Sequence, residues 1–275
     1  MRNGPVSSAP RAVVLCAVLL LGWAARCAAQ AGPPYQTDDP DPVPLHHFEA
    51  YVFELSDRTT GGTALSVPSF EMNWGAAPNL QLHVVIPLAT NLAPGVSAQR
   101  GIGDIELGAK YKFVDETRRM PEIGVFPFIE LPTGDAARGL GVGTTWYRLP
   151  VWLKKGVGAW NVFGGGGEVV VRAEGFKNYP FASGLLQRKI SEQLTLGVEL
   201  VGHGAESPDP AGVGRSLMTD VGGYYSFSPG FQLLFAAGHS VAWRPETYTY
   251  LALYWTWGPG ADKSADAGGL MPLRR

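Results

Sequence analysis

The stretch GIGDIELGAKYKFVDETRRMPEIGVFPFIELPTGD, from Gly101 to Asp135, decides how the chain is read. At a period of two, Ile105, Leu107, Ala109, Tyr111 and Phe113 share one face. Asp104, Glu106, Gly108, Lys110 and Lys112 share the other, the pattern of a strand with one oily and one charged side. After a turn, Ile123, Val125, Pro127, Ile129 and Leu131 repeat the oily face against Gly124, Phe126, Phe128 and Glu130. Two such strands make an antiparallel hairpin. The open question is whether the oily side meets a protein core or lipid.

Outward from this hairpin ten further segments follow the same logic, and the whole chain from His47 divides into twelve strand-like segments: 47–56, 63–74, 79–89, 102–114, 122–132, 143–154, 159–171, 180–189, 193–203, 215–227, 230–240 and 247–257. Turns such as 75–78, 155–158, 190–192 and 228–229 are short, whereas 90–101, 133–142, 172–179 and 204–214 are long. Segregated turns and loops are expected of a transmembrane barrel and not of a soluble sandwich. Aromatic residues point the same way. Trp74, Tyr111, Phe113, Trp152, Tyr225, Phe227, Trp255 and Trp257 end strands at one rim, and Phe48, Trp160 and Phe231 begin strands there. Such a girdle suits a membrane interface. The expected fold is therefore all-β: an antiparallel transmembrane barrel of about 12 strands, of the bacterial outer-membrane type.

The N-terminus reads as an address. Arg2 and Arg11 precede an apolar run from Ala12 to Ala25, and Cys27-Ala28-Ala29 or Ala29-Gln30-Ala31 supplies small residues for cleavage, so residues 1–31 are expected to be a signal peptide. The run is too short to span a bilayer as a helix. Both cysteines, Cys16 and Cys27, fall inside it, so the exported chain would have no disulfide. Removing Arg2, Arg11 and Arg26 from 22 basic residues leaves 19 against 24 acidic ones, a balance that offers nucleic acid nothing. Residues 32–46, rich in Pro and Asp, read as an extended periplasmic leader, 47–258 as the barrel and 259–275 as a disordered tail. Asp38, Asp39 and Asp41 beside His46 and His47 have turn spacing, not metal-ligand spacing.

The stretches GPPYQTDDPDPV, GDIELGAKYKF, FIELPTGD, LPVWLKKGVGAWNVFGGGGE and SGLLQRKISEQLTLGVEL, in this order, resemble the transporter, or meta-pathway-of-phenol-degradation-like, family of outer-membrane proteins. The resemblance covers about Gly32 to Pro259 and implies an outer-membrane barrel passing small, in part aromatic, compounds. The sequence departs from the habit of outer-membrane barrels of ending on an aromatic residue: its last strand closes at Trp257 and a polar tail follows, so the barrel assembly machinery would have to read the internal YWTW.

Twelve strands leave a bore too wide for side chains to fill simply and narrower than an open porin. Hairpin symmetry sets Glu106 opposite Glu130 and Leu107 opposite Ile129, then Glu130 opposite Arg148 and Ile129 opposite Leu149. That row of two carboxylates and one guanidinium is either a wall-stiffening ion network or a selectivity element. Asp104, Lys110, Lys112, Glu168, Glu199 and Asp220 are further lumen candidates by parity, with Phe126, Phe128, Tyr250 and Tyr254 as apolar pore surface. Gly164–Gly167 lacks the Lys-Ser/Thr of a phosphate loop and is expected to allow a sharp bend or to make room for bulky lumen neighbours such as Trp146 or Trp152. No cofactor, metal site or nucleophile motif is expected. The leading expectation is an outer-membrane channel for small solutes working by diffusion or facilitated diffusion. The alternatives are a plugged, non-transporting barrel, its lumen filled by the ion network alone or with the Pro-rich leader as well, and, behind it, a barrel hydrolase.

Overall fold

A computed structural model describes residues 33–209 and 213–259. The expected signal peptide and nearly all of the expected tail lie outside the described residues. Fourteen strand segments follow one another: β1 (Phe48–Thr59), β2 (Gly62–Ala77), β3 (Leu80–Leu92), β4 (Gln99–Ile102), β5 (Ile105–Val114), β6 (Glu122–Val125), β7 (Phe128–Leu131), β8 (Trp146–Val157), β9 (Trp160–Val171), β10 (Tyr179–Lys189), β11 (Leu194–His203), β12 (Ser216–Ser228), β13 (Phe231–Trp243) and β14 (Glu246–Trp257).

Two pairs of segments are single staves with a break. β3 pairs with both β4 and β5, and β8 with both β6 and β7, so the ring has twelve staves, all antiparallel. It closes where β1 pairs with β14 along its whole length, from Phe48 opposite Trp257 to Thr59 opposite Glu246. Closure removes every free edge, the condition for placing strands in lipid.

Burial decides which way the faces point. Along β8 the residues alternate strictly from Trp146 to Leu153, with Tyr147, Leu149, Val151 and Leu153 exposed and Trp146, Arg148, Pro150 and Trp152 buried. Leu82, Leu107, Val198, Leu200 and Leu251 are likewise exposed, while Gln81, Glu106, Glu199 and Asp220 are buried. Apolar side chains outside and charges inside invert the order of a soluble protein. They fit a barrel whose outer face is solvated by hydrocarbon.

The aromatic rim holds with one correction. Phe48 stacks between Trp74 and Trp257, with ring centroids at 6.3 and 5.6 Å, and Phe231 stacks between Phe227 and Trp255 at 5.2 and 5.3 Å. Trp152, expected on this rim, has no exposure at all and points into the lumen. The glycine run makes that possible, as expected for it. A β-carbon at Gly165 would overlap the Val151 carbonyl oxygen and the Trp152 ring, so the ring packs closely against the neighbouring strand.

The second strand keeps its faces through an irregularity between Ser66 and Ser69, beside Pro68, where the pairing register shifts. At the long-loop rim, the 132–145 connection folds back around Asp104. The Asp104 carboxylate accepts from Gly134 N at 2.9 Å and Val142 N at 2.7 Å, and Leu140 is buried.

Candidate functional site: a lumen occupied by the leader

The leader, expected as an extended periplasmic segment, is extended but lies inside the barrel, as the plugged-barrel alternative had it. It enters at the short-turn rim, where His46 N donates to Gly75 O at 2.8 Å and Gly75 N to His47 O at 3.0 Å, and runs back up the bore. Pro34, Tyr35, Thr37, Asp38, Pro40 and Val43 are buried there. Prolines suit this path, because a chain with few N–H donors needs few partners from the wall. The donors it keeps are met by wall side chains. Val43 N donates to Gln81 Oε1 at 3.0 Å, Gln36 N to Glu199 Oε2 at 3.0 Å, and Thr37 N also donates to Glu199.

Charge fixes the leader at two levels. Lys110 Nζ lies 2.8 Å from Asp38 Oδ1 and 3.3 Å from Asp39 Oδ1. Nearer the rim, Asp41 receives Lys112 at 3.0 Å and Lys154 at 3.2 Å. Burial pulls the Asp41 carboxyl upward, but Lys154 and Lys112 outweigh it and hold its pKa at about 2. Burial pushes the Asp38 carboxyl above its ordinary value despite Lys110. The acidic leader and the lysines of the opening hairpin are therefore one unit. The spacing of Asp38, Asp39 and Asp41 had been legible only as turn chemistry, because their partners lie some seventy or more residues away in sequence.

The expected carboxylate row is half right. Glu106 faces Glu130 in register and Leu107 faces Ile129. Across the long loop, however, Glu130 faces Trp146, Arg148 faces Phe128, and Ile129 faces Tyr147. The slip is two residues, so every side chain keeps its face while its neighbour changes. The Arg148 guanidinium lies 4.0 Å from the Phe181 ring centroid and 5.8 Å from that of Phe128. Glu106 instead meets His83, whose Nε2 is 2.6 Å from Glu106 Oε1. The other ring nitrogen is 2.6 Å from Asn73 Oδ1, and Asn73 Nδ2 donates to Glu71 Oε1 at 2.8 Å. Glu71 and Asn73 were missed. They alternate with Phe70, Met72 and Trp74, the signal that would have found them.

The remaining candidates divide. Asp104 serves the loop, as described. Lys110 and Lys112 hold the leader, and Glu199 does so from the far wall. Asp220 is buried in register with Glu199. Glu168 is corrected: it is exposed on the outer face opposite Leu149. Gly164–Gly167 carries no side chains to show the phase, which Phe163 and Val169 set by pointing inward.

Two aromatic walls flank the leader. Phe126, Phe128, Trp146, Trp152 and Phe181 form one. Tyr51, Phe53, Tyr248 and Tyr250 form the other, with Tyr254 against it. Phe53 and Tyr250 stack at 5.6 Å, and Tyr254 OH donates to Glu49 Oε1 at 2.8 Å. Among the described residues no group of three or more His, Cys, Asp and Glu side chains is arranged to hold a metal ion.

The family described as "Putative MetA-pathway of phenol degradation" matches residues 50–256. The chain belongs to this family. Its fold is similar to that of an outer-membrane channel from Pseudomonas putida F1, at 16% identity and a TM-score of 0.65, covering 80% of this chain and 98% of that one. The NanC porin is similar at 8% identity and a TM-score of 0.55, covering 75% and 98%, and the KdgM porin at 12% and 0.51, covering 75% and 99%. At these identities the likeness is one of fold. Among curated proteins none matches the sequence.

Proposed function

We propose that this family member is a channel of the bacterial outer membrane that passes small solutes, aromatic or hydrophobic compounds among them, by diffusion or facilitated diffusion. The observation that carries the reading is the filling of the bore. Among the described residues, what lies between the two aromatic walls is one extended strip of chain, held by ion pairs and hydrogen bonds. Polar ties of this kind can be exchanged for water, while the aromatic surface beneath them suits a flat apolar solute. The three similar structures, a channel and two porins, support passage, and membership of a phenol-degradation family supports an aromatic solute. Insertion by the barrel assembly machinery through the YWTW strand belongs to this reading. Glu106, Glu130 and Arg148 would tune which solutes pass, without a cofactor.

The same leader favours a second reading, a permanently plugged barrel with a structural role. Planar-bilayer recordings on the purified protein, with and without residues 33–43, separate the two. Steady single-channel steps from the full chain, together with swelling of protein-loaded liposomes in a small aromatic solute, support passage. Silence from the full chain, with conduction only after deletion of the leader, sinks it in favour of the plug.

A further inference from the structure

The outward-facing residues of β9, β10 and β11 line up in cross-strand rows. At the short-turn rim Trp160, Arg188 and Leu196 stand in direct register, and the Arg188 guanidinium lies over the Trp160 ring, 5.1 Å from its centroid. Arg188 is exposed and, among the described residues, forms no ion pair with a carboxylate. Its neighbour Lys189, by contrast, is paired with Glu192 at 2.8 Å.

One step further into the membrane stand Val162, Leu186 and Val198, and beyond them Gly164, Gly184 and Leu200. The apolar side chains of both rows are exposed on the lipid face. Between them the two paired glycines leave a hollow. A β-carbon on Gly184 would have no neighbour nearer than 3.9 Å, and one on Gly164 none nearer than 3.4 Å. Crowding therefore demands glycine at neither position. The missing side chains open a groove of about 390 Å³ in the outer wall, bounded by Val162, Leu186, Val198, Leu200 and Thr219. Four residues of β10 separate Gly184 from Arg188, about 13 Å along the strand.

A groove in hydrocarbon that ends at an unpaired cation fits a ligand with one anionic end and one apolar tail. The guanidinium is a planar fork suited to phosphate, and the indole beneath it holds it at interface depth. Short turns face the periplasm, so the lipid at this rim belongs to the periplasmic leaflet.

We propose that the outer wall of β9 to β11 binds one glycerophospholipid, its phosphodiester on Arg188 over Trp160 and one acyl chain in the groove at Gly164 and Gly184. The bound lipid fills the wall where side chains are missing and is held more tightly than the lipids around it. The inference requires a barrel in the membrane and does not depend on whether that barrel conducts.

Native mass spectrometry of the purified protein in detergent supplemented with phosphatidylglycerol tests it. The expected result is one lipid retained per wild-type barrel. Retention should fall at least fivefold in Arg188→Gln, which removes the charge, and in Gly184→Leu, which fills the groove. Both positions are exposed, so both variants should keep the heat-modifiable folded band. Inorganic phosphate, which has no chain for the groove, should not displace the lipid. Retention that is absent from wild type, or unchanged in either variant, overturns the proposal. So does displacement by inorganic phosphate, which would reduce the site to an anion contact at Arg188.

Discussion

Lys110 Nζ and Asp38 Oδ1, 2.8 Å apart and both buried, tie the wall of the barrel to the chain that fills it. Removing Asp38 takes from Lys110 its closer partner but leaves Asp39 at 3.3 Å, so the cost falls below the about 3–5 kcal/mol of a fully stranded buried charge. Asp38→Asn should loosen the leader and expose residues 33–43 to protease. The exchange of both charges, Asp38→Lys with Lys110→Asp, should recover most of the protection. Equal protease resistance in Asp38→Asn and wild type would count against the tie.

The outer tie has a defined pH dependence. Asp41 has its carboxyl held at about 2 by Lys154 and Lys112 against the pull of burial, below the 3.8 of an undocked aspartate. A lowered value means that its contribution is complete above the undocked value and fades as pH falls toward 2. The Asp41 contribution to leader protection should stay level from pH 7 to pH 4 and decline below that. In Asp41→Asn the decline below pH 4 should be smaller. Proteolysis at each pH with an acid-stable protease reads both.

Gly165 packs against the Trp152 ring and the Val151 carbonyl oxygen, and any side chain there must displace both. Gly165→Val should therefore lower barrel stability by about 1–3 kcal/mol, the usual cost of overpacking. Trp152→Ala in the same chain should return part of the loss. The midpoint of denaturant unfolding, followed by the heat-modifiable band on gels, measures it.

Glu106 and Glu130 face each other in register, and Glu106 is already engaged by His83. Neutralising the less engaged partner should relieve repulsion. Glu130→Gln is expected to unfold at the same or a slightly higher denaturant concentration than wild type, whereas His83→Ala, which breaks the chain from Glu71 to Glu106, should unfold earlier. The reverse order would show that Glu130 has a stabilising partner.

Periodicity made the barrel legible because a strand in lipid must present an apolar face at every second residue, and residues such as Leu107, Leu149 and Val198 advertise that face locally. The same rule placed Glu106, Glu130, Glu199 and Asp220 in the lumen. It faltered at Glu168, where glycines erase the phase, and at Arg148, where a folded loop changed the register by two.

Local alternation along the chain determined which side of each strand meets lipid, and hence the all-β membrane fold. The tertiary structure alone decided what fills the bore. The leader's prolines and aspartates say only that it is extended and acidic. Its place in the lumen depends on Lys110, Lys112, Lys154 and Glu199, charges far apart in sequence that become neighbours only once the ring is closed.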